Sequence, residues 1–180
     1  MGSVVAQFLT PMRDRQRRGG SRLPRLFLAL LAAACVPTQA RAQERFANIG
    51  NLVDYNFGQI INLSADQSIA RDVCVYSAKT TPGYNVRATG SGAGGAFTLG
   101  GGGGTLGYEV QWAAQAGRAT GTILRPNVAL TGLLTSATQQ NCINGPPASA
   151  SLIVMLRATS LQAALSGTYS GTLTLIVGVE

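Results

Sequence analysis

Residues 172–179 read TLTLIVGV, a run in which an apolar side chain recurs at every second position. Because successive side chains of a β-strand point to opposite faces of the sheet, this period of two predicts a strand with one buried face. That face would carry Leu173, Leu175, Val177 and Val179. The pattern therefore indicates a fold organised by β-sheet.

The same alternation occurs upstream. Residues 69–76 and 84–89 alternate in this way, and so do residues 106–112 (LGYEVQW), which we predict to be a single strand. Residues 151–157 (SLIVMLR) are apolar on both sides, as expected of a strand in the middle of a sheet. Helical periodicity is confined to a short piece near residues 161–165.

Turn signals rich in glycine and proline separate these segments, among them residues 81–83 (TPG), 90–95 (GSGAGG), 100–104 (five glycines) and 144–147 (NGPP). About seven short strands with frequent turns, in a chain of this length, are typical of a β-sandwich. We therefore predict an all-β fold with one sandwich domain.

The charge of the chain is concentrated near its start. The 180 residues carry a formal charge of +7, of which residues 1–42, with seven arginines and one aspartate, contribute +6. Residues 43–180 contain seven basic and six acidic residues, so they are nearly neutral. This distribution argues against nucleic acid as a partner, because such proteins need a basic surface on the folded domain.

The basic segment precedes an apolar run of eleven residues, 26–36 (LFLALLAAACV). This run is shorter than the roughly 20 residues that a membrane-spanning helix needs. It has the length of a signal-peptide core, and the sequence Ala-Arg-Ala at 40–42 supplies a cleavage pattern. We predict a cleaved secretory signal at residues 1–42 and a domain at residues 43–180, with no stable membrane insertion after cleavage. Alternatives are a start at Met12, a retained anchor, twin-arginine export and lipidation at Cys35.

Two cysteines, Cys74 and Cys142, remain after Cys35 is removed with the signal. An even pair in an exported chain favours a disulfide, because the compartment is oxidising. Two free thiols are the alternative.

The composition is poor in catalytic groups. The chain has no histidine, which removes imidazole acid–base chemistry and the commonest metal ligand. Residues 90–95 match the pattern G-x-G-x-x-G, but a strand and more glycines follow where a dinucleotide site needs a helix. We predict no enzyme activity and no cofactor or metal.

Several motifs in order resemble those of the spore coat protein U domain, found in secreted pilins of archaic (Csu-type) chaperone–usher systems. Residues 53–58 (VDYNFG) are similar to its x-x-F-G opening, and residues 69–74 (IARDVC) to its strand that runs into a cysteine. Residues 83–86 (GYNV) and 106–110 (LGYEV) resemble its middle strands, and residues 167–177 (GTYSGTLTLIV) its closing strand. The resemblance covers about residues 50–180.

The resemblance implies an immunoglobulin-like sandwich that lacks its final strand. A periplasmic chaperone would lend a strand to the open groove, and at the outer-membrane usher the N-terminal extension of another pilin subunit would replace it. Leu173, Leu175, Val177 and Val179 would then line the groove. The implied function is a structural or adhesive pilus subunit that passes through the periplasm to the cell surface, the fimbrium or the medium. A complete sandwich, whose last strand is 172–179, is the alternative.

The sequence departs from the family before its first strand. Residues 43–52 (QERFANIGNL) have apolar residues at a spacing of three, which is wrong for a donated strand, and an early cysteine is missing. We therefore predict a subunit that accepts a strand but donates poorly, as expected of a tip or minor subunit. The alternative function is a stand-alone secreted β-sandwich binding module, with Trp112 and the glycine loops as its surface.

Overall fold

The alternation in the sequence corresponds to strands in the computed structural model, which describes residues 46–78 and 82–180. The predicted signal peptide and Cys35 lie outside the described residues. The elements in chain order are β1 (Ala47–Gly50), β2 (Gln67–Ser77), β3 (Gly83–Gly90), β4 (Thr98–Gly101), β5 (Gly104–Gly107), β6 (Glu109–Ala113), β7 (Thr122–Ile123), β8 (Ala129–Leu134), β9 (Ala150–Leu156), α1 (Ala158–Ala163), β10 (Tyr169–Ser170) and β11 (Leu173–Val179).

The strands form three antiparallel sheets, with the orders β1-β2-β9-β6-β7, β10-β4-β5 and β11-β3-β8. The first and third sheets share one main core cluster, to which β2, β6 and β9 contribute from one side and β3 from the other. The predicted all-β sandwich is therefore confirmed. Among the described residues, no helix is both long and apolar enough to cross a membrane.

The centre of the larger sheet is β9, as its sequence predicts. It pairs with β2 on one side and with β6 on the other, and six of its seven residues are buried. The helical periodicity predicted near residues 161–165 is confirmed only in part, because Leu161 is the buried residue of α1 but Leu165 lies beyond the helix and is 63% exposed. β9 owes its burial to a run of apolar residues that the sequence displays directly.

Trp112 and Tyr84 lie in the middle of the core. The Trp112 Nε1 group donates a hydrogen bond of 3.0 Å to the Tyr84 hydroxyl, and their rings meet edge to face at 6.4 Å. Trp112 is only 1% exposed. The prediction that it forms a ligand-binding surface is wrong, because a tryptophan satisfied in this way is part of the core.

The predicted single strand at 106–112 is also wrong. It divides at Tyr108 into β5 and β6, which belong to different sheets. The Tyr108 amide instead donates to the Phe97 carbonyl, at 2.9 Å. Leu106 and Trp112 are buried on either side of the break, in different core clusters, but Gln111 is buried as well, so the predicted solvated face is not fully exposed. An alternating pattern therefore indicates that a segment is extended and partly buried, but it does not indicate which sheet the segment joins.

The glycine runs form connections. Gly102 and Gly103 have φ angles of 56° and 84° and make the two-residue turn of the β4–β5 hairpin. Both angles lie in the left-handed region, which glycine adopts without strain. Residues 90–95 end in a single 3-10 turn (Ala93–Gly95), and β4 follows it.

Cys74 and Cys142 form a disulfide, with their Cα atoms 6.0 Å apart. Both cysteines are buried, next to Ala137 and the partly buried Tyr76. The bond fastens β2 to the long connection between β8 and β9.

Candidate functional site

Strand β11 lies at the edge of its sheet. It pairs with β3 along its whole length, from Leu173 opposite Gly90 to Val179 opposite Tyr84. No strand in the described part of the chain pairs with its other edge, which we call the outer edge of β11. An edge of this kind is able to accept a further strand.

The register shows which backbone groups the outer edge presents. The Glu180 amide donates to the Gly83 carbonyl at 3.1 Å, so these residues form a hydrogen-bonded pair. Such pairs alternate with non-hydrogen-bonded ones in an antiparallel ladder, so every second residue before Glu180 points its amide at β3. The N–H and C=O groups that face away from β3 therefore belong to Leu173, Leu175, Val177 and Val179.

The side chains of these four residues point to the interior. Leu173, Leu175 and Val177 are partly buried and pack against the main core cluster, and Val179 is partly buried too. On the opposite face, Ile176 is 48% exposed. The structure thus brings the four predicted groove residues together on one face, and it places incompletely covered apolar side chains beside unpaired backbone.

A second segment, which lacks backbone–backbone hydrogen bonds in the described part of the chain, packs on the same cluster through Tyr55. Tyr55 is half-buried there, and its hydroxyl donates to the Leu152 carbonyl at 2.8 Å. Burial of the Tyr55 hydroxyl raises its pKa well above the usual range. Residues 53–61 form no backbone–backbone hydrogen bond with the described part of the chain. The motif VDYNFG therefore supplies anchoring side chains without forming a strand in the structure.

Strand β1 lies near β11 but belongs to a different sheet. It pairs with residues 74–77 of β2, and it also has Cα atoms within 8 Å of β11, although no ladder joins the two. Our prediction that the spacing in residues 43–52 is wrong for a strand fails for these four residues. The reason is that one inward side chain, Ile49, is enough for so short a strand, while Phe46 lies against the Tyr76 ring at 5.8 Å.

Several carboxylates in the described part of the chain make structural contacts. Arg157 contacts Asp66 and Glu109 at 2.8 Å each, and we call these three residues the Arg157 triad. Asp72 accepts hydrogen bonds from the Ser151 hydroxyl and the Gly117 amide. In the described ranges no group of three or more histidine, cysteine, aspartate or glutamate side chains is placed to hold a metal ion.

Both carboxyls of the Arg157 triad have lowered pKa values. For Asp66 the main cause is the hydrogen bond from the Ala158 amide, followed by that from Arg157. For Glu109, partial burial raises the pKa, but hydrogen bonds from Gln111 and Arg157 outweigh it. A carboxyl whose folded-state pKa is depressed stabilises the fold above its unfolded-state pKa, and this stabilisation is lost as the pH falls through the folded-state value.

We expect the variant Arg157→Gln to be less stable than the parent protein at neutral pH, and we expect this gap to narrow on acidification. The ordinary pKa values of the two carboxyls are 3.8 and 4.5, so the narrowing should begin as the pH falls below 4.5. Urea unfolding across a pH series measures the gap. Arg87→Gln is the matched control, because Arg87 is exposed and lacks an ion pair in the described part of the chain. A gap that stays constant with pH would contradict the prediction.

Comparison with known proteins gives only distant similarity, to solved structures. No family model matches the chain, and no curated protein matches it. A similar solved structure is a chain of a chaperone–tip adhesin complex, described as vital for synergistic activation of CFA/I fimbriae biogenesis. The two chains are 15% identical with a TM-score of 0.47, and the match covers 76% of this chain and 41% of that one. This chain therefore matches less than half the length of that protein.

Proposed function

We propose that this chain is a structural or adhesive subunit of a chaperone–usher pilus, assembled by donor-strand complementation, and that it belongs to the spore coat protein U domain family. The observation that carries the proposal is the outer edge of β11, where unpaired backbone lies beside half-buried apolar side chains. The motifs that resemble the family support the same assignment. The protein has no enzyme activity in this proposal.

The chemistry of the edge specifies its partner. A strand from another polypeptide can form hydrogen bonds with the outward groups of Leu175 and Val177, and its alternate apolar side chains can complete the cover over the main core cluster. Such an edge promotes aggregation if it is left open. A periplasmic chaperone therefore covers it first, and another pilin subunit replaces the chaperone at the outer-membrane usher. Export by the signal at residues 1–42 brings the chain to this route, which ends at the cell surface or in the medium.

The position of this subunit in the fibre is at the tip, or it is a minor component. Residues 47–50 are held in the subunit's own sheet as β1, paired with β2. The chain therefore accepts a strand and donates one poorly.

We expect Val177→Pro to abolish strand acceptance while leaving the β3–β11 ladder intact. Proline removes the amide of Val177, which faces the outer edge, and edge strands tolerate it there. The probe is a synthetic nine-residue peptide of alternating valine and threonine, added to the exported protein. In the parent protein the peptide should slow hydrogen exchange at the amides of Leu173, Leu175 and Val177 and should raise the Tm. In Val177→Pro the peptide should do neither.

Two control variants separate the backbone effect from packing and folding. Val177→Ala removes side-chain volume but keeps the amide, so it should still respond to the peptide. Ile176→Pro removes an amide that points at β3, so it should lower the Tm without any peptide.

Two results would contradict the proposal. If the outward amides of β11 are already protected in the parent protein alone, the sandwich is complete and the chain is a stand-alone secreted binding module. Immunogold labelling along whole fibres, in place of labelling at one end or at rare positions, would contradict the tip or minor role.

A further inference from the structure

A cavity lies where the chain passes from β5 to β6, at a distance in the sequence from the outer edge of β11. Its volume is about 320 Å³, and Gly107 and Tyr108 line it together with Ser160 of α1. Ligand sites generally have volumes of roughly 300–1,000 Å³. This volume lies at the lower end of that range and is enough for one small ring.

One wall of the cavity is apolar. The rings of Phe97 and Tyr108 stack with their centroids 5.6 Å apart and their planes 29° apart. Phe97 and Leu124, which also line the cavity, are almost fully buried, so the wall is fixed by the core behind it. The bond from the Tyr108 amide to the Phe97 carbonyl fixes the two aromatic residues to each other.

The remaining lining is polar. The hydroxyls of Tyr108 and Ser160 make no hydrogen bond with the described part of the chain, so both are available to a ligand. Arg157 lines the cavity with its guanidinium held by Glu109 and Asp66. Burial raises the pKa of the Tyr108 hydroxyl, so this group stays protonated as a hydrogen-bond donor.

The charge of the Arg157 triad selects among ligands. One guanidinium and two carboxylates give the triad a net charge of −1 beside the cavity. A carboxylate or phosphate ligand would be repelled by the excess negative charge. A neutral ligand with hydroxyl groups avoids this repulsion and can still bond to Tyr108, Ser160 and Arg157.

We propose that this cavity binds the neutral pyranose ring of a saccharide. Such a ring has an apolar C–H surface for the aromatic wall and hydroxyls that both donate and accept hydrogen bonds, which matches the two kinds of lining. The site is separate from strand acceptance, since it uses β5, β6 and α1 and none of the residues of β11. Either proposal can fail while the other stands.

The test uses the exported protein and three probes: methyl β-D-glucopyranoside, methyl β-D-galactopyranoside and methyl α-D-mannopyranoside. Saturation-transfer NMR detects binding, and amide shift changes locate it. We expect at least one of the three to bind and to shift the amides of Gly107, Tyr108 and Ser160. We expect glucuronate, which carries a carboxylate on the same kind of ring, to bind about tenfold more weakly or not at all.

The matched variants lie at the two ends of one strand. A Cβ atom at Gly107 would meet the Ser160 Oγ at an ordinary contact distance of 3.7 Å, so Gly107→Val places side-chain volume in the cavity beside Ser160. A Cβ atom at Gly104 would meet nothing within 4 Å, so Gly104→Val is the control. We expect Gly107→Val to lose saccharide binding with its Tm unchanged, and Gly104→Val to retain binding.

Three outcomes would overturn the proposal. These are no binding of any neutral pyranoside, binding that Gly107→Val leaves unchanged, and glucuronate binding as tight as that of the neutral sugars. If Gly107→Val is found to unfold, Tyr108→Phe provides the same test, because it removes only the hydroxyl and should weaken binding about tenfold. Unchanged binding by Tyr108→Phe would count against the site in that case.

Discussion

Replacing Trp112 with alanine is expected to lower the free energy of unfolding by about 3–5 kcal/mol. Trp112 is almost fully enclosed by the main core cluster, so truncation leaves a cavity that the two sheets cannot fill. It also removes the donor to the Tyr84 hydroxyl, which is itself fully buried. Small domains are stable by only about 5–15 kcal/mol, so the variant should be marginally folded.

The measurement is urea unfolding followed by circular dichroism, since Trp112 is the single tryptophan and its fluorescence disappears with it. Tyr84→Phe isolates the polar part of the interaction and should cost about 1 kcal/mol. Ile123→Ala, at a position 56% exposed in the neighbouring strand β7, is the surface control and should cost under about 0.5 kcal/mol. A cost for Trp112→Ala no larger than that of Ile123→Ala would show that the core is not organised around this residue.

Burial raises the pKa of Tyr84 to about 12, and the hydrogen bond from Trp112 partly offsets that rise. The hydroxyl is therefore neutral at any pH at which the protein functions. This supports treating the pair as a neutral hydrogen bond within the core, whose loss appears as a stability change independent of pH near neutrality.

Removing the disulfide has the second large expected effect. The double variant Cys74→Ala/Cys142→Ala should be less stable than the oxidised protein by about 4 kcal/mol, because the bond closes a long loop in the unfolded chain. The separation of the two cysteines is 68 residues. Alanine suits both positions, since each side chain is buried in an apolar cluster.

Urea unfolding with and without dithiothreitol provides the control. The reduced parent protein should approach the stability of the double variant, and the double variant should not respond to the reductant. Equal stability of the oxidised protein and the double variant would contradict the prediction.

The sequence predicts strands best where burial is simplest. β9 and β11 lie within a residue or two of their predicted bounds, because one is apolar on both faces and the other alternates cleanly. The division at Tyr108 escaped prediction because the side chains on both sides of the break remain buried. β1 was not predicted, because so short a strand depends on its pairing with β2 and not on an alternating pattern in its own sequence.

Some features of the candidate site could also be predicted from the sequence, and others could not. The four inward residues of β11 are readable from their alternation, but the sequence does not show that no strand within residues 46–78 and 82–180 pairs with their outward amides. The Arg157 triad joins residues that lie 48 and 91 positions apart in the chain. No local sequence motif marks such contacts. The cavity beside them cannot be read from the sequence either, because it lies where the chain passes from β5 in one sheet to β6 in another.

The position of the disulfide has a consequence for the rate of folding. Val73, next to Cys74, pairs with Ala150 at the start of β9. The paired strands β2 and β9 are therefore far apart in the sequence. Folds dominated by such non-local pairings form slowly, because the ends of a long loop must first meet. Once the disulfide between Cys74 and Cys142 has formed, only the few residues between Cys142 and Ala150 remain to be closed before β2 and β9 can pair. Early oxidation thus converts this long-range search into a short local closure.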